Sequence, residues 1–544
     1  MAKYSGIFTP TQQMQATAAG NWTASPGAPT SVSATAGNTQ ATVTFTAPTN
    51  TGNPAGISSY LATSTPGSIT GTASASPITV TGLTNGTAYT FIVQAIGTYT
   101  GAGQASAASN SVTPSVPPAW MLLYYQATNN TGAGMIYLGA SQQIITLGSG
   151  GASATNGLLT LSRTGGVVSQ QTLTNSFTFV NNGKVFYDST NDYLYTLGNE
   201  NYKSAVGKLQ PSSNTWSWGK GVALTSSPIS GSNGTSVAVD SSQNIYVTGR
   251  VSNTNGCYDS GYAVLAKYNS SGTEQWVKFY AYQTNNPNST FFNDIVLDSS
   301  SRPVVVGTYS VSYRPYGSII KFNTSGTEVW QRRLYNASIN TRLYCISKDS
   351  SYNYYVGGFY EPSGLIAKYD DSGSIQWQNL LTVSGRSFYI TCAKTDSSGN
   401  TYYFGYTSAS GTPGYLLKVN SSGTLQWQRK FSINNSVDLQ ANITNIVLDE
   451  TDSSVALTFN PYNTSLSTAT IRMVIKYPMD GSITGSYSVG TASLTIASGD
   501  ATVSSGTVTD ASGTNATQSP SYSNYATGNN TYSTTSLSSS LTNL

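Results

Sequence analysis

Lys267-Tyr-Asn-Ser-Ser-Gly272-Thr-Glu-Gln-Trp276 returns without a gap as Lys321-Phe-Asn-Thr-Ser-Gly326-Thr-Glu-Val-Trp330, Lys368-Tyr-Asp-Asp-Ser-Gly373-Ser-Ile-Gln-Trp377 and Lys418-Val-Asn-Ser-Ser-Gly423-Thr-Leu-Gln-Trp427. In each copy the Lys stands nine residues before the Trp and the Gly four before it. A short Asn/Asp, Ser, Gly run between two strand-like segments is a hairpin signal, with Gly in the left-handed slot that other residues resist. Lys208 with Asn214 and Trp218 reads as a fifth copy with one insertion. Lys476 with Asp480-Gly481 is a sixth lacking its Trp, and Leu161 to Gln170, around Gly165-Gly166, is a worn seventh.

A second series interleaves with the first. Ser236-Val-Ala-Val-Asp240 runs on to Gly249, Asp294-Ile-Val-Leu-Asp298 to Gly307, Cys345-Ile-Ser-Lys-Asp349 to Gly358 and Cys392-Ala-Lys-Thr-Asp396 to Gly405. Asn445-Ile-Val-Leu-Asp449 and Tyr187-Asp188 to Gly198 are further members, and Met135 to Gly148 is a degenerate first one. Trp218, Trp276, Trp330, Trp377 and Trp427 follow one another at 58, 54, 47 and 50 residues, the length of four short strands with their turns. Seven copies in residues 120–490 predict a seven-bladed β-propeller. Its repeated Trp is expected to pack between adjacent blades. Gly272, Gly326, Gly373, Gly423 and Gly481 are expected to shape the hairpins.

Asp188, Asp240, Asp298, Asp349, Asp396 and Asp449 recur with the period, and all but Asp449 are followed by Ser-Ser or Ser-Thr. Such an Asp caps backbone donors in an Asx turn. An active site needs residues that break the symmetry, so these carboxylates are read as structural and no metal is expected. The repeat resembles the propeller repeats of bacterial surface proteins and, in its Gly-x-x-x-Trp step, those of pyrroloquinoline-quinone dehydrogenases. Those dehydrogenases have eight blades, a calcium ion and a catalytic Asp. Seven copies without a cofactor-specific motif make this resemblance architectural, with no cofactor and no enzymatic activity expected.

Upstream, residues 26–116 alternate with a strand period: Val32 and Ala34, then Ala41, Val43 and Phe45, then Tyr60, Ile78 and Val80. About seven short strands in such a length predict an immunoglobulin-like sandwich. Gly82-Leu83 followed by Gly86-Thr-Ala-Tyr89-Thr-Phe91, with the closing Ser111-Val-Thr-Pro114, resembles the fibronectin type III family. The resemblance implies that Tyr89 forms the tyrosine corner, with Phe45 where the family usually has Trp. The module is read as a spacer.

Composition bounds the function. Of 544 residues only 8% are charged, 24 Lys+Arg against 21 Asp+Glu for a net +3, where about 25% is usual for a soluble domain. Histidine is absent, which removes every scheme that relies on an imidazole base or ligand. No dense basic face is available for nucleic acid. Neither a signal peptide nor a membrane span is expected, since no apolar h-region follows Met1 and no stretch approaches the roughly 18 apolar residues of a span. Cys257, Cys345 and Cys392 cannot form a complete disulfide framework, and Cys345 and Cys392 are read as reduced core thiols. The candidate glycan contact is Tyr313-Arg314-Pro315-Tyr316, within the Tyr- and Arg-rich run from Tyr309 to Tyr355.

Residues 1–25 are read as an attachment peptide. In 491–544, Ala492 to Ile496 and Ala501 to Val508 are expected to close the last blade or form a small appendage, and 510–544 is low in complexity. A surface-like composition without an export signal points to a bacteriophage virion structural protein, a tail appendage or head decoration. It would attach to other virion proteins in multiple copies and display the propeller toward host-surface glycans. A secreted bacterial adhesin is the alternative, and a propeller lyase or glycosidase the less favoured one.

Overall fold

In the computed structural model the alternating runs become strands, and among the described residues no helix is long and apolar enough to cross a membrane. The structure describes residues 24–114 except 38 and 53–55, and from 120 onward the strands named below with most of their turns. Its longest omissions are 1–9, 12–23, 127–134, 222–228, 254–260, 282–289, 434–445, 460–469 and 519–539. The attachment peptide, apart from Pro10, Thr11, Ala24 and Ser25, lies outside the described residues. Two compact units emerge, one built on Met1–Pro118 and the other beginning at Ala119.

The first unit is a two-sheet sandwich. Thr30–Ala36, Gln40–Thr46 and Ile78–Thr81 make one sheet, and Thr70–Ala73, Ile57–Thr65, Thr90–Gly97 and Gly101–Ala105 the other, in those orders. Alternation decides the faces: Phe91, Val93 and Ala95 point inward from one strand and meet Ala41, Val43, Tyr60, Ile78 and Val80. Phe45 packs on Tyr60 with ring centroids 4.7 Å apart. The Tyr89 hydroxyl accepts the Thr84 N–H at 3.1 Å, tying the turn to the strand that follows it.

The second unit is a ring of seven antiparallel sheets, each holding four blade strands. Blade 1 runs Met135–Leu138, Ile144–Gly148, Thr155–Leu161, Val167–Thr174; blade 2 opens with Phe186–Asp188 and continues Tyr193–Glu200, Lys203–Gln210, Thr215–Gly221. Blade 3 is Ile229–Val239, Ile245–Asn253, Gly261–Tyr268, Glu274–Ala281, and blade 4 is Phe291–Leu297, Pro303–Val311, Arg314–Phe322, Glu328–Tyr335. Blade 5 is Thr341–Lys348, Tyr354–Tyr360, Ser363–Tyr369, Ile375–Thr382, and blade 6 is Phe388–Thr395, Thr401–Thr407, Gly414–Val419, Leu425–Ile433. Blade 7 takes Ile446–Asp449, Ser454–Phe459 and Thr470–Pro478 from its own stretch and its fourth strand, Trp120–Gln126, from the start of the unit. Each first strand packs on the preceding blade, and blade 7 meets Met135–Leu138 of blade 1, so the ring closes.

Closure explains the copy without a Trp. Lys208, Lys267, Lys321, Lys368 and Lys418 each pair in register with the Trp of the next strand, and Lys476 pairs with Trp120. The absent Trp therefore stands at the other end of the propeller segment. Ala492–Ser498 and Thr502–Ser505 do not close the last blade, since Trp120–Gln126 already occupies that edge; residues 506–508 lie outside the described residues.

A bulge explains the Gly of the second strands, Gly249, Gly307, Gly358 and Gly405, each of which lies within its strand rather than at its end. The first strands of blades 3 to 6 each insert one extra residue, Thr235, Asn293, Tyr344 and Thr391, between Gly234/Ser236, Phe292/Asp294, Leu343/Cys345 and Ile390/Cys392. The bulged strand then rides close over its neighbour. A Cβ on Gly307, Gly358 or Gly405 would lie 2.1, 2.0 or 2.4 Å from the carbonyl oxygen of Phe291, Arg342 or Tyr389. Only Gly permits that approach.

Beyond blade 7 the chain travels back around the rim. Ala492–Ser498 adds an outer strand to blade 6, with Gly485–Val489 outside it. Thr502–Ser505 adds to blade 5, Thr509–Ala511 to blade 4, Ala516–Gln518 to blade 3, and Ser540–Asn543 to blade 7. Five outer edges that would otherwise present unpaired N–H and C=O groups are thereby covered. The strap is anchored in blade 6, where Leu494 and Ile496 are buried with Phe431 and Tyr477.

Candidate functional site

The repeated residues stiffen one face of the ring, the face that carries the turns between first and second and between third and fourth strands. Asp240 Oδ1 accepts the N–H groups of Ser242 and Asn244 at 3.0 and 2.8 Å. Asp298, Asp349 and Asp396 repeat that geometry at their own turns. Asp188 accepts from Thr190 at 3.0 Å, and Asp449 is buried, 3.9 Å from the Lys476 ammonium. Asp298 also meets Lys321 at 2.8 Å and Arg302 at 2.6 Å. Burial opposes its ionisation, but those cations and the backbone N–H groups outweigh it and hold its pKa below the ordinary value.

Gly272, Gly326, Gly373, Gly423 and Gly481 all have φ between 71° and 87°. The Trp of one blade lies on the hairpin Gly of the next. A Cβ on Gly373, Gly423 or Gly481 would lie 2.8, 2.8 or 2.7 Å from Trp330, Trp377 or Trp427. Each indole N–H also donates to that hairpin: Trp276 to Thr324 O, Trp330 to Asp371 O, Trp377 to Ser421 O and Trp427 to Met479 O, at 3.0 to 3.1 Å. Trp218 is placed by its backbone pairing with Lys208. The lysines lie over tyrosine rings, Lys267 over Tyr246, Lys368 over Tyr355 and Lys418 over Tyr402, each 5.1 Å from the centroid. These residues serve turns and blade contacts.

Chemistry that breaks the symmetry gathers on the central channel. First strands of blades 3 to 6, with Lys184, Val185 and Phe186 of blade 2, line a cavity of about 470 Å³. Four residues before the repeated Asp, the copies read Lys184, Ser236, Asp294, Cys345, Cys392 and Asn445. The Asp294 carboxylate, 5% exposed, is paired with Lys184. It also accepts from Ser236 Oγ at 2.8 Å, from the Ile346 N–H at 2.8 Å and from its neighbour Ile295 N–H at 3.0 Å. Burial opposes the Lys184 ammonium, yet Asp294 holds its pKa above the usual value. Lys394 and Lys348 add two further cations to the wall. Burial depresses both pKa values, offset in part by Asp294 for Lys394 and by Asp298 for Lys348.

Cys345 and Cys392 are buried and free, and they enter different inter-blade cores. Burial raises both thiols, Cys392 to about 11, which disfavours the reactive thiolate. Cys257 lies outside the described residues. Among the described residues no group of three His, Cys, Asp or Glu gathers as a metal site.

The expected glycan contact does not assemble as read. Tyr316 is 4% exposed and its ring pairs with Tyr309 at 5.5 Å across the blade 4 hairpin, so no sugar can stack on it. Tyr313 lies outside the described residues, and Arg314 is exposed at the start of its strand. A different aromatic group occupies blades 5 and 6 on the face opposite the Asp turns. Phe359 stacks on Tyr389 at 4.3 Å and Tyr389 on Tyr406 at 5.2 Å, with interplanar angles of 18° and 19°. Tyr389 and Tyr406 are half-buried, and exposed Arg342 hydrogen-bonds the half-buried Tyr344, the bulge residue of blade 5. Sequence reading named Arg342 and Tyr344 as part of a rich run but had no signal for the stack, whose members come from three strands of two blades.

The sheet order defines an all-β protein whose second unit is a seven-bladed propeller. No family model and no curated protein matches the chain. Solved structures similar to it include a luciferin-regenerating enzyme at 12% identity, covering 54% of this chain and 90% of that one with a TM-score of 0.35. The Dos1 propeller is 11% identical over 65% and 93%, TM-score 0.39. An auxiliary nutrient binding protein from Bacteroides thetaiotaomicron is 11% identical over 83% and 98%, TM-score 0.32. Likeness at this level assigns no activity.

Proposed function

We propose that the chain is a non-catalytic structural protein of a bacteriophage particle that displays its propeller toward host-surface glycans. Residues 1–25 attach it to other virion proteins, and the first unit, read as a fibronectin type III domain, is the spacer. The strand order of that sandwich and the Tyr89–Thr84 hydrogen bond support the family reading. The single observation that carries adhesion is the Phe359–Tyr389–Tyr406 stack beside Arg342 and Tyr344. Tyr389 is stacked between Phe359 and Tyr406 and so holds the outer face of half-buried Tyr406 in place; that face suits a sugar's apolar side, and the exposed Arg342 guanidinium suits its hydroxyls. Many copies on one particle would convert weak single-site binding into firm attachment.

Gold-labelled antibody against residues 120–490, applied to intact particles, tests the setting. Label at tail or head supports the virion reading, while absence of both label and the protein from purified particles promotes the secreted adhesin. A glycan array probed with the full chain and with Tyr389→Ala tests adhesion. Binding that the variant loses supports the aromatic site, and binding it retains overturns it.

A further inference from the structure

We propose that the central channel binds a small ligand through a carboxylate or phosphate oxygen, held by Lys394 next to the Lys184–Asp294 pair. This inference is independent of the virion reading. The channel already holds one anion, the protein's own Asp294. A lysine, a hydroxyl and the edge N–H of Ile346 converge on that carboxylate, showing that channel-facing strand edges supply donors as well as the side chains do.

The arrangement is not repeated around the ring. One and two blades further on, the place of Asp294 is taken by Cys345 and Cys392, both uncharged at neutral pH. Lys394 lines the same cavity as Lys184 and Asp294, so two lysines and one carboxylate face the same space. Lys184 takes that carboxylate in a direct ion pair. Lys394 makes no hydrogen bond or ion pair among the described residues, and its side chain stands exposed to the solvent of the channel it lines. An ammonium open to a lined cavity and engaged with no partner can donate to an entering oxyanion without first giving up a contact. Lys348 on the same wall adds to the positive potential. About 470 Å³ falls within the roughly 300–1,000 Å³ of small-molecule sites. It suits an acidic monosaccharide or a small phosphate ester.

The test uses the full chain and isothermal titration at fixed ionic strength with inorganic phosphate, D-glucuronate and neutral D-glucose. The expected result is saturable binding of at least one anion and none of glucose. Affinity should fall about 10- to 100-fold in Lys394→Gln and persist in Lys394→Arg. Binding of glucuronate alone assigns the ligand to acidic saccharides, and binding of phosphate alone assigns it to phosphoryl compounds. No saturable binding of either anion, or equal binding by Lys394→Gln, overturns the proposal. Thermal melting supplies the second readout. Without ligand, Lys394→Gln should melt within about 1 °C of the parent, because an exposed lysine with no partner loses no contact, and a collapse of its fold would overturn the reading of Lys394 as unpartnered.

Discussion

Gly358→Ala tests the bulge that shapes the channel. The new methyl would sit 2.0 Å from the Arg342 carbonyl oxygen and 3.0 Å from Leu343 Cα, both backbone atoms that no rotamer change can clear. To restore contact, the start of Thr341–Lys348 must move by about 1 Å, loosening the pairs Thr341–Tyr360, Arg342–Phe359 and Leu343–Gly358. Two weakened backbone hydrogen bonds at about 1 kcal/mol each, with repacking of fully buried Leu343, give a loss of about 3 kcal/mol. Gly385→Ala is the comparator. Its φ is +70°, its Cβ meets nothing within 4 Å, and left-handed strain alone costs about 1 kcal/mol. Calorimetry of the full chain should show the propeller transition about 4 °C lower for Gly358→Ala and about 1 °C lower for Gly385→Ala. If Gly358→Ala loses no more than Gly385→Ala, the close approach at the bulge is not what requires glycine.

Three further outcomes are expected. Trp377→Ala removes the indole over Gly423 and its bond to Ser421, and urea unfolding should show a loss of about 3 kcal/mol. The depressed pKa of Asp298 gives stability that is complete above the unfolded value, about 3.9, and is lost as pH falls through the lower folded value. Melting curves of Asp298→Asn should therefore lack part of the acid dependence seen below about pH 4 in the parent. Deleting residues 499–544 bares the outer edges of blades 3, 4, 5 and 7, and light scattering should show self-association that the full chain lacks.

The blades were legible because each needs the same turn chemistry. Asx-forming Asp, left-handed Gly and a large aromatic for the next blade leave a periodic trace. Blade 1 was faint because its copies lack the Lys and Trp. Trp120 was missed because its partner Lys476 lies at the far end of the segment, and no local pattern links them. The strap was hidden for a related reason. Outer strands of three or four residues pair through backbone groups, which Ser, Thr and Ala supply as well as any residue. The candidate sites were least visible. Lys394 and Asp294 sit inside repeat copies whose regularity drew attention to Asp298 and Asp396, while the informative column was the one that varied. Tyr316 was misplaced because sequence cannot say which tyrosines of an aromatic run face a neighbour strand and which face solvent.

Blade 7, completed by a strand from the beginning of the unit, sets the order in which the nascent chain can mature. The sandwich has all its strands once Gly101–Ala105 has emerged from the ribosome. Trp120–Gln126 follows almost at once, yet it waits unpaired while six blades are synthesised, because its partner Thr470–Pro478 is the last of the blade strands to be made. Ring closure is thus a long-range contact, the kind that slows folding. The outer strand Ser540–Asn543 comes later still and locks onto the same closing strand, so any shortened product ending before Thr470 leaves the circle open.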